Sequence, residues 1–148
     1  IAGAISKELS IGDVVLVNGA MRDEGTSYHY IKGSRSRFIS SDMKFLNETK
    51  NTLLNSKIDF KIGSTWTTDA PYRETDLEIN HFRKKGVLCV DMESSAIFAV
   101  SKYYSIKSCS ILIISDIVEI DRWEHKFNSP MIYKNFERIF YSVLKSVL

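Results

Sequence analysis

Gly86-Val87-Leu88-Cys89-Val90-Asp91-Met92-Glu93-Ser94-Ser95-Ala96-Ile97-Phe98-Ala99-Val100 changes character twice within fifteen residues. Val87–Val90 has the length and β-branched content of a buried strand. Ser94–Val100, small and apolar, predicts a buried helix. Between them two carboxylates flank Met92. Burying a carboxylate is costly unless a partner compensates it, so Glu93 calls for a donor from the protein or from a ligand. Equally, Asp91 and Glu93 suit the first turn of a helix, where acids are favoured. The spacing alone leaves both readings open.

Downstream, Ile111-Leu112-Ile113-Ile114 is the most apolar strand candidate and runs straight into Ser115-Asp116. An acid at the carboxyl end of a buried strand is where open α/β sheets place ligand-handling groups, although Asp116 can also cap the next element. From Pro130 to Leu148, apolar residues recur at helical spacing and predict a terminal amphipathic helix. Upstream, a helix is expected over Leu77–Lys85, capped by Thr75 or Asp76. Ser64–Thr75 gathers hydroxyls, Trp66, Tyr72, Arg73 and acids around Pro71. Rings with donors beside them suit a flat heterocycle, and Pro71 suits the end of a strand. Lys57–Gly63 alternates like a half-exposed strand, and Ser41–Ser56 predicts a helix. Asn18–Tyr30 follows neither period and is expected to be irregular. Lys32, Arg35 and Arg37 form a basic patch that fits either phosphate or solvent. Ser10–Asp13 reads as a turn before the buried strand Val14–Val17, and Ile1–Ile5 as the end of another strand. Strands thus alternate with helices, predicting an α/β sandwich with a mixed or parallel central sheet and helices on both faces.

Composition narrows the classes. The 148 residues suit one domain, 1–148, with 44% hydrophobic and 26% charged residues. A net charge of +2 is too small to argue for nucleic acid or an anionic membrane. No apolar run approaches the roughly 20 residues that span a bilayer. Cys89 and Cys109 lie in apolar runs and read as free thiols in a reducing, cytoplasmic compartment. His29, His81 and His125 are scattered, and no metal site is expected.

Taken together, the Gly-Ala-Ile strand end, the Gly-Asp-Val-Val strand start, the Val90-Asp91-Met92-Glu93-Ser94-Ser95-Ala96 element and Ile114-Ser115-Asp116 resemble the second half of the purine nucleoside and uridine phosphorylases. The Trp66-Thr67-Thr68-Asp69-Ala70-Pro71-Tyr72-Arg73-Glu74-Thr75 wording is similar to the uridine-phosphorylase-like branch. The resemblance covers essentially the whole chain and implies that it is the C-terminal portion of such a domain, the family's phosphate-binding Gly and Arg residues lying upstream.

The resemblance implies site residues. Glu93 would accept the ribose hydroxyls and Met92 would floor the sugar, roles that suit a carboxylate and a thioether. Ala2 and Gly3 would lie beside the base, with Pro71, Tyr72, Asp91 and Ser115 completing its pocket. Asp116 or Arg73 would assist the departing base, Asp116 by protonating a purine or Arg73 by donating to a carbonyl. Arg22 or Arg35 could line a phosphate site. The implied reaction is phosphorolysis of uridine or a purine nucleoside, the wording leaning to uridine. Inorganic phosphate would be co-substrate, without metal or organic cofactor, in a homo-oligomer built from dimers, a hexamer being expected. A hydrolytic nucleosidase and a non-catalytic nucleoside-binding relative are the rivals.

Overall fold

The structure, a computed structural model, describes residues 1–32, 36–119 and 122–147, the side chains of 122 and 147 excepted. Its elements, in chain order, are β1 (Ala2–Ala4), β2 (Val14–Asp23), α1 (Thr26–Tyr30), β3 (Phe38–Ser40), α2 (Met43–Asn55), β4 (Lys61–Thr68), α3 (Asp76–Lys84), β5 (Cys89–Asp91), α4 (Ser94–Tyr103), β6 (Ser110–Glu119), β7 (Arg122–His125) and α5 (Pro130–Val147). A short 3-10 turn, Pro71–Arg73, precedes α3. The strands form one mixed sheet in the order β3-β2-β4-β5-β1-β6-β7. β2 also pairs antiparallel with the start of β6, from Val14 opposite Ile113 to Val17 opposite Ser110. The two longest strands therefore bring the sheet back on itself.

Alternation along the strands assigns the helices to layers. Cys89 packs with Phe98 and Ala99 of α4, whereas Val90 packs with Ile79 and Phe82 of α3. Leu112 and Ile114 join the α4 layer, whereas Ile113 meets Leu53 of α2 with Ile132 and Ile139 of α5. Helices cover both faces, as the apolar runs require.

β6 breaks its own alternation once. Ala2 lies opposite Ile114, but Gly3 lies opposite Asp116, so Ser115 is an extra residue against β1. Such a bulge reverses which face the following side chains take. Val118 consequently packs in the α3 layer with Val90 and Ile79.

Two expectations need correction. Asn18–Tyr30 is not irregular: β2 continues to Asp23, pairing with β3 and β4, and α1 follows. Its charged residues are partnered within the fold, which disguises the strand. The strand expected over Lys57–Gly63 starts only at Lys61 and runs on to Thr68, and its parallel pairing with β5 sets Thr65 against Cys89 and Thr67 against Asp91.

Candidate functional site

Asp91 is the buried carboxylate of the strand–helix junction. Its Oδ1 accepts from Thr65 Oγ1 at 3.0 Å and Thr67 Oγ1 at 2.7 Å. Its Oδ2 accepts from the backbone N–H of Ser94 at 2.7 Å and of Glu93 at 3.3 Å. The next amide, Ser95 N–H, donates to Thr67 Oγ1 at 3.1 Å. Asp91 and Thr67 thus satisfy the first free N–H groups of α4, the work of a cap. Glu93, which occupies the N-cap position, makes no side-chain cap and is exposed. The expected burial of Glu93 is therefore corrected: Asp91 takes the buried load, and the Glu93 carboxylate stands at the surface without a protein donor among the described residues.

That carboxylate stands at the edge of a cavity of about 490 Å³. Ala2, Gly3, Pro71, Tyr72, Asp91, Met92, Glu93, Ser115 and Asp116 all line it, nine of the ten residues expected to handle the nucleoside. Met92 is half-exposed and Tyr72 fully exposed, so the cavity opens on that side. Gly3 sits between Val90 on β5 and Asp116 on β6. A Cβ there would lie 2.7 Å from Val118 Cγ2 and 3.0 Å from Asp116 Oδ2, so only glycine lets the strands close over the acid. Asp116 is buried and accepts from Trp123 Nε1 at 2.8 Å, while its Oδ1 is 2.7 Å from Ser115 Oγ.

Arg73, the tenth, is exposed on the 3-10 turn and outside the cavity lining. Arg22 is also elsewhere. Buried, it donates through Nε to Ser27 Oγ at 2.9 Å and lies 4.0 Å from the Tyr28 ring centroid. Its donors are committed to holding the β2–α1 corner. Arg35 lies outside the described residues. Trp66 stacks on Phe82 in the core at 4.4 Å, and Thr65 and Thr67 serve Asp91, so the only part of Ser64–Thr75 facing the cavity begins at Pro71.

A model of the phosphorylase superfamily matches residues 1–145. The chain belongs to that superfamily. Among curated relatives, it is 28% identical over 115 residues to a purine nucleoside phosphorylase of the DeoD type from Oceanobacillus iheyensis, covering 77% of this chain and 48% of that protein. The chain spans about half the length of the curated relatives it matches. A solved uridine phosphorylase from Vibrio fischeri superposes with a TM-score of 0.67 at 26% identity, over 98% of this chain and 56% of that one. The P knowlesi homolog of P falciparum PNP superposes with a TM-score of 0.79 at 17% identity, over 98% and 57%, and is similar in fold.

The cavity is strongly acidic. Glu74, Asp76 and Glu119 join Asp91, Glu93 and Asp116 in its lining, and no Lys, Arg or His does among the described residues. Trp123 and Phe127 also line it and were not singled out from the sequence. Trp123 lies in a segment with neither strand nor helix periodicity, so nothing local marked it. Glu74 had a signal, its place in the Pro71–Thr75 run, but reads there as a residue before a helix cap. Among the described residues no cluster of His, Cys, Asp and Glu fit to hold a metal occurs, and no helix is long and apolar enough to cross a membrane.

Proposed function

We propose that the protein is a nucleoside phosphorylase, cleaving the N-glycosidic bond of a nucleoside with inorganic phosphate to give free base and a pentose 1-phosphate. One observation carries this reading: Asp91 caps α4, leaving Glu93 free beside Met92 at the mouth of the cavity that holds Asp116. A free carboxylate can accept two vicinal hydroxyls of a ribose, and Met92 supplies an apolar surface beneath the ring. Gly3 and Pro71 leave room for a flat base between the sugar and Asp116. As the bond breaks, positive charge develops on the sugar and negative charge on the base. The acidic wall stabilises the first, and a proton from a carboxyl neutralises the second. Phosphate needs cations that the described lining does not offer, so in this reading they come from other residues of the full protein or from a second copy.

The lining favours a purine over uracil. Carboxyl groups suit ring nitrogens and amino groups, whereas the two carbonyls of uracil need donors, and Arg73 stands outside the cavity. The test is release of base by the full-length protein from uridine, thymidine, inosine, adenosine and methylthioadenosine, with and without phosphate. Cleavage that requires phosphate, best with a purine nucleoside, is the expected result. Cleavage without phosphate would overturn the reading in favour of hydrolysis. Glu93→Gln should lower kcat/KM for the best ribonucleoside by roughly 100-fold, since the site's hydroxyl acceptor is weakened.

A further inference from the structure

Glu74, at the end of the Pro71–Arg73 turn, lines the same cavity as Asp116, whose charge reaches it. Its backbone is held on both sides. Glu74 N–H donates to Pro71 O at 3.2 Å, and Thr75 N–H donates to Arg73 O at 2.8 Å. The side chain is half-buried and makes no hydrogen bond among the described residues. Asp116 differs. Trp123 Nε1 can only donate, so Asp116 Oδ2 is fixed as an acceptor, and Ser115 Oγ occupies Oδ1. One acid is thus held by donors, and the other is open to a ligand.

The charged groups around them share one sign. Asp76 from α3, Asp91 and Glu93 from the β5–α4 junction and Glu119 from β6 line the same cavity, and no Lys, Arg or His side chain lines it among the described residues. The imidazole of His125 belongs to the residue opposite Asp116 on β7 and lies outside the lining. Two neighbouring carboxyls in such a place do not readily both ionise.

We propose that Glu74 and Asp116 work as an acid pair in which Glu74 carries a proton and delivers it to the leaving base. The delivery step rests on the phosphorylase reading above; the pair itself does not. Burial, and then the charge of Asp116, push the Glu74 carboxyl up to about 7, where a general acid is effective. As the glycosidic bond breaks, its electron pair goes to the base nitrogen. The Glu74 proton goes to a ring nitrogen of the base, which leaves neutral, while a phosphate oxygen bonds the anomeric carbon. Glu74 is left as a carboxylate facing Asp116. It recovers a proton through solvent, matching the one that hydrogen phosphate gives up on becoming an ester.

Two measurements on the full-length protein decide this. In the first, carboxyl-labelled glutamate is titrated by carbon NMR. One resonance should titrate near pH 7, vanish in Glu74→Gln and move to lower pH in Asp116→Asn. Absence of any such resonance overturns the pair whatever the enzyme turns over. In the second, kcat/KM for the best nucleoside of the panel is followed against pH. It should fall tenfold per unit above about pH 7 in the wild type. Glu74→Gln should lose roughly 100-fold or more at pH 6.5 and show no fall above 7, with Glu74→Asp restoring part of both. Wild-type activity and an unchanged alkaline limb in Glu74→Gln would overturn delivery by Glu74 and leave the phosphorylase reading standing. A protein that cleaves no nucleoside removes that reading and the delivery step together, while the NMR titration still decides the pair.

Discussion

Asp91 and Glu93 are two residues apart and do opposite work. Asp91 gathers two hydroxyls and two backbone N–H groups, so Asp91→Ala strands four donors at a buried junction. A loss of about 3 kcal/mol is expected in urea unfolding. Glu93 is exposed and caps nothing, so Glu93→Gln should change stability by less than about 0.5 kcal/mol while activity collapses. A large stability loss in Glu93→Gln would return Glu93 to a structural role. Glu74 gives a third signature. Its carboxyl is raised from an ordinary value of 4.5 to about 7, by burial first and then by Asp116. The folded state therefore holds this proton more tightly than the unfolded chain. Its stabilising contribution is complete below pH 4.5 and is lost as pH rises through about 7. Glu74→Gln should accordingly gain in Tm relative to wild type between pH 5 and pH 8. The gain is expected to be modest, roughly 2–4 °C, because the carboxyl is partly open to screening solvent. An equal difference at both pH values would contradict the raised carboxyl.

At the scale of elements, the site is made by departures from regularity. The extra residue at Ser115 turns Asp116 and Val118 toward α3, and Gly3 permits β1 to pass within contact of both. Gly3→Ala should therefore push β1 from β6, lowering stability by about 1–3 kcal/mol and weakening nucleoside binding. Unchanged binding would show that the cavity does not depend on this approach. Such features explain what could be read beforehand. The strand at Val87–Val90, the helix after it, the run at Ile111–Ile114 and the amphipathic tail were legible because each buries residues at its own period. The second halves of β2 and β4 were not. Arg22 and Glu24 look like loop residues in isolation, yet Arg22 is satisfied by Ser27 and Tyr28, and Glu24 by Ser27 N–H and Ser95 Oγ. Thr65 and Thr67 look solvent-loving but face Asp91. In each case partners distant in sequence override local polarity. The short edges β3 and β7 carry too few residues to show any period. Trp123 entered the site with one of them.

For the whole molecule, the β2–β6 pairing closes the sheet into a ring that includes β1, so the strands that line the cavity also carry the core. Cys89 reports on it. Burial first, reinforced by the charge of Asp91 and opposed by the Thr65 hydrogen bond, pushes its thiol up to about 12. At pH 8 a thiol reagent should modify half-buried Cys109 first, and Cys89 only at the rate of global unfolding. Rapid labelling of Cys89 in the folded protein would mean that β5 opens independently. The position of β1 has a further consequence, for biosynthesis. Its three residues lie between β5, antiparallel, and β6, parallel. A ribosome must make everything from Ile5 to Cys109 before the first residue of β6 exists, roughly 5–20 s of translation. Through that interval Gly3 has no Asp116 to approach, and the nascent chain offers unpaired strand edges to whatever chaperones attend it. No ligand of the cavity can template this part of folding. The pocket closes only after β6 has been made.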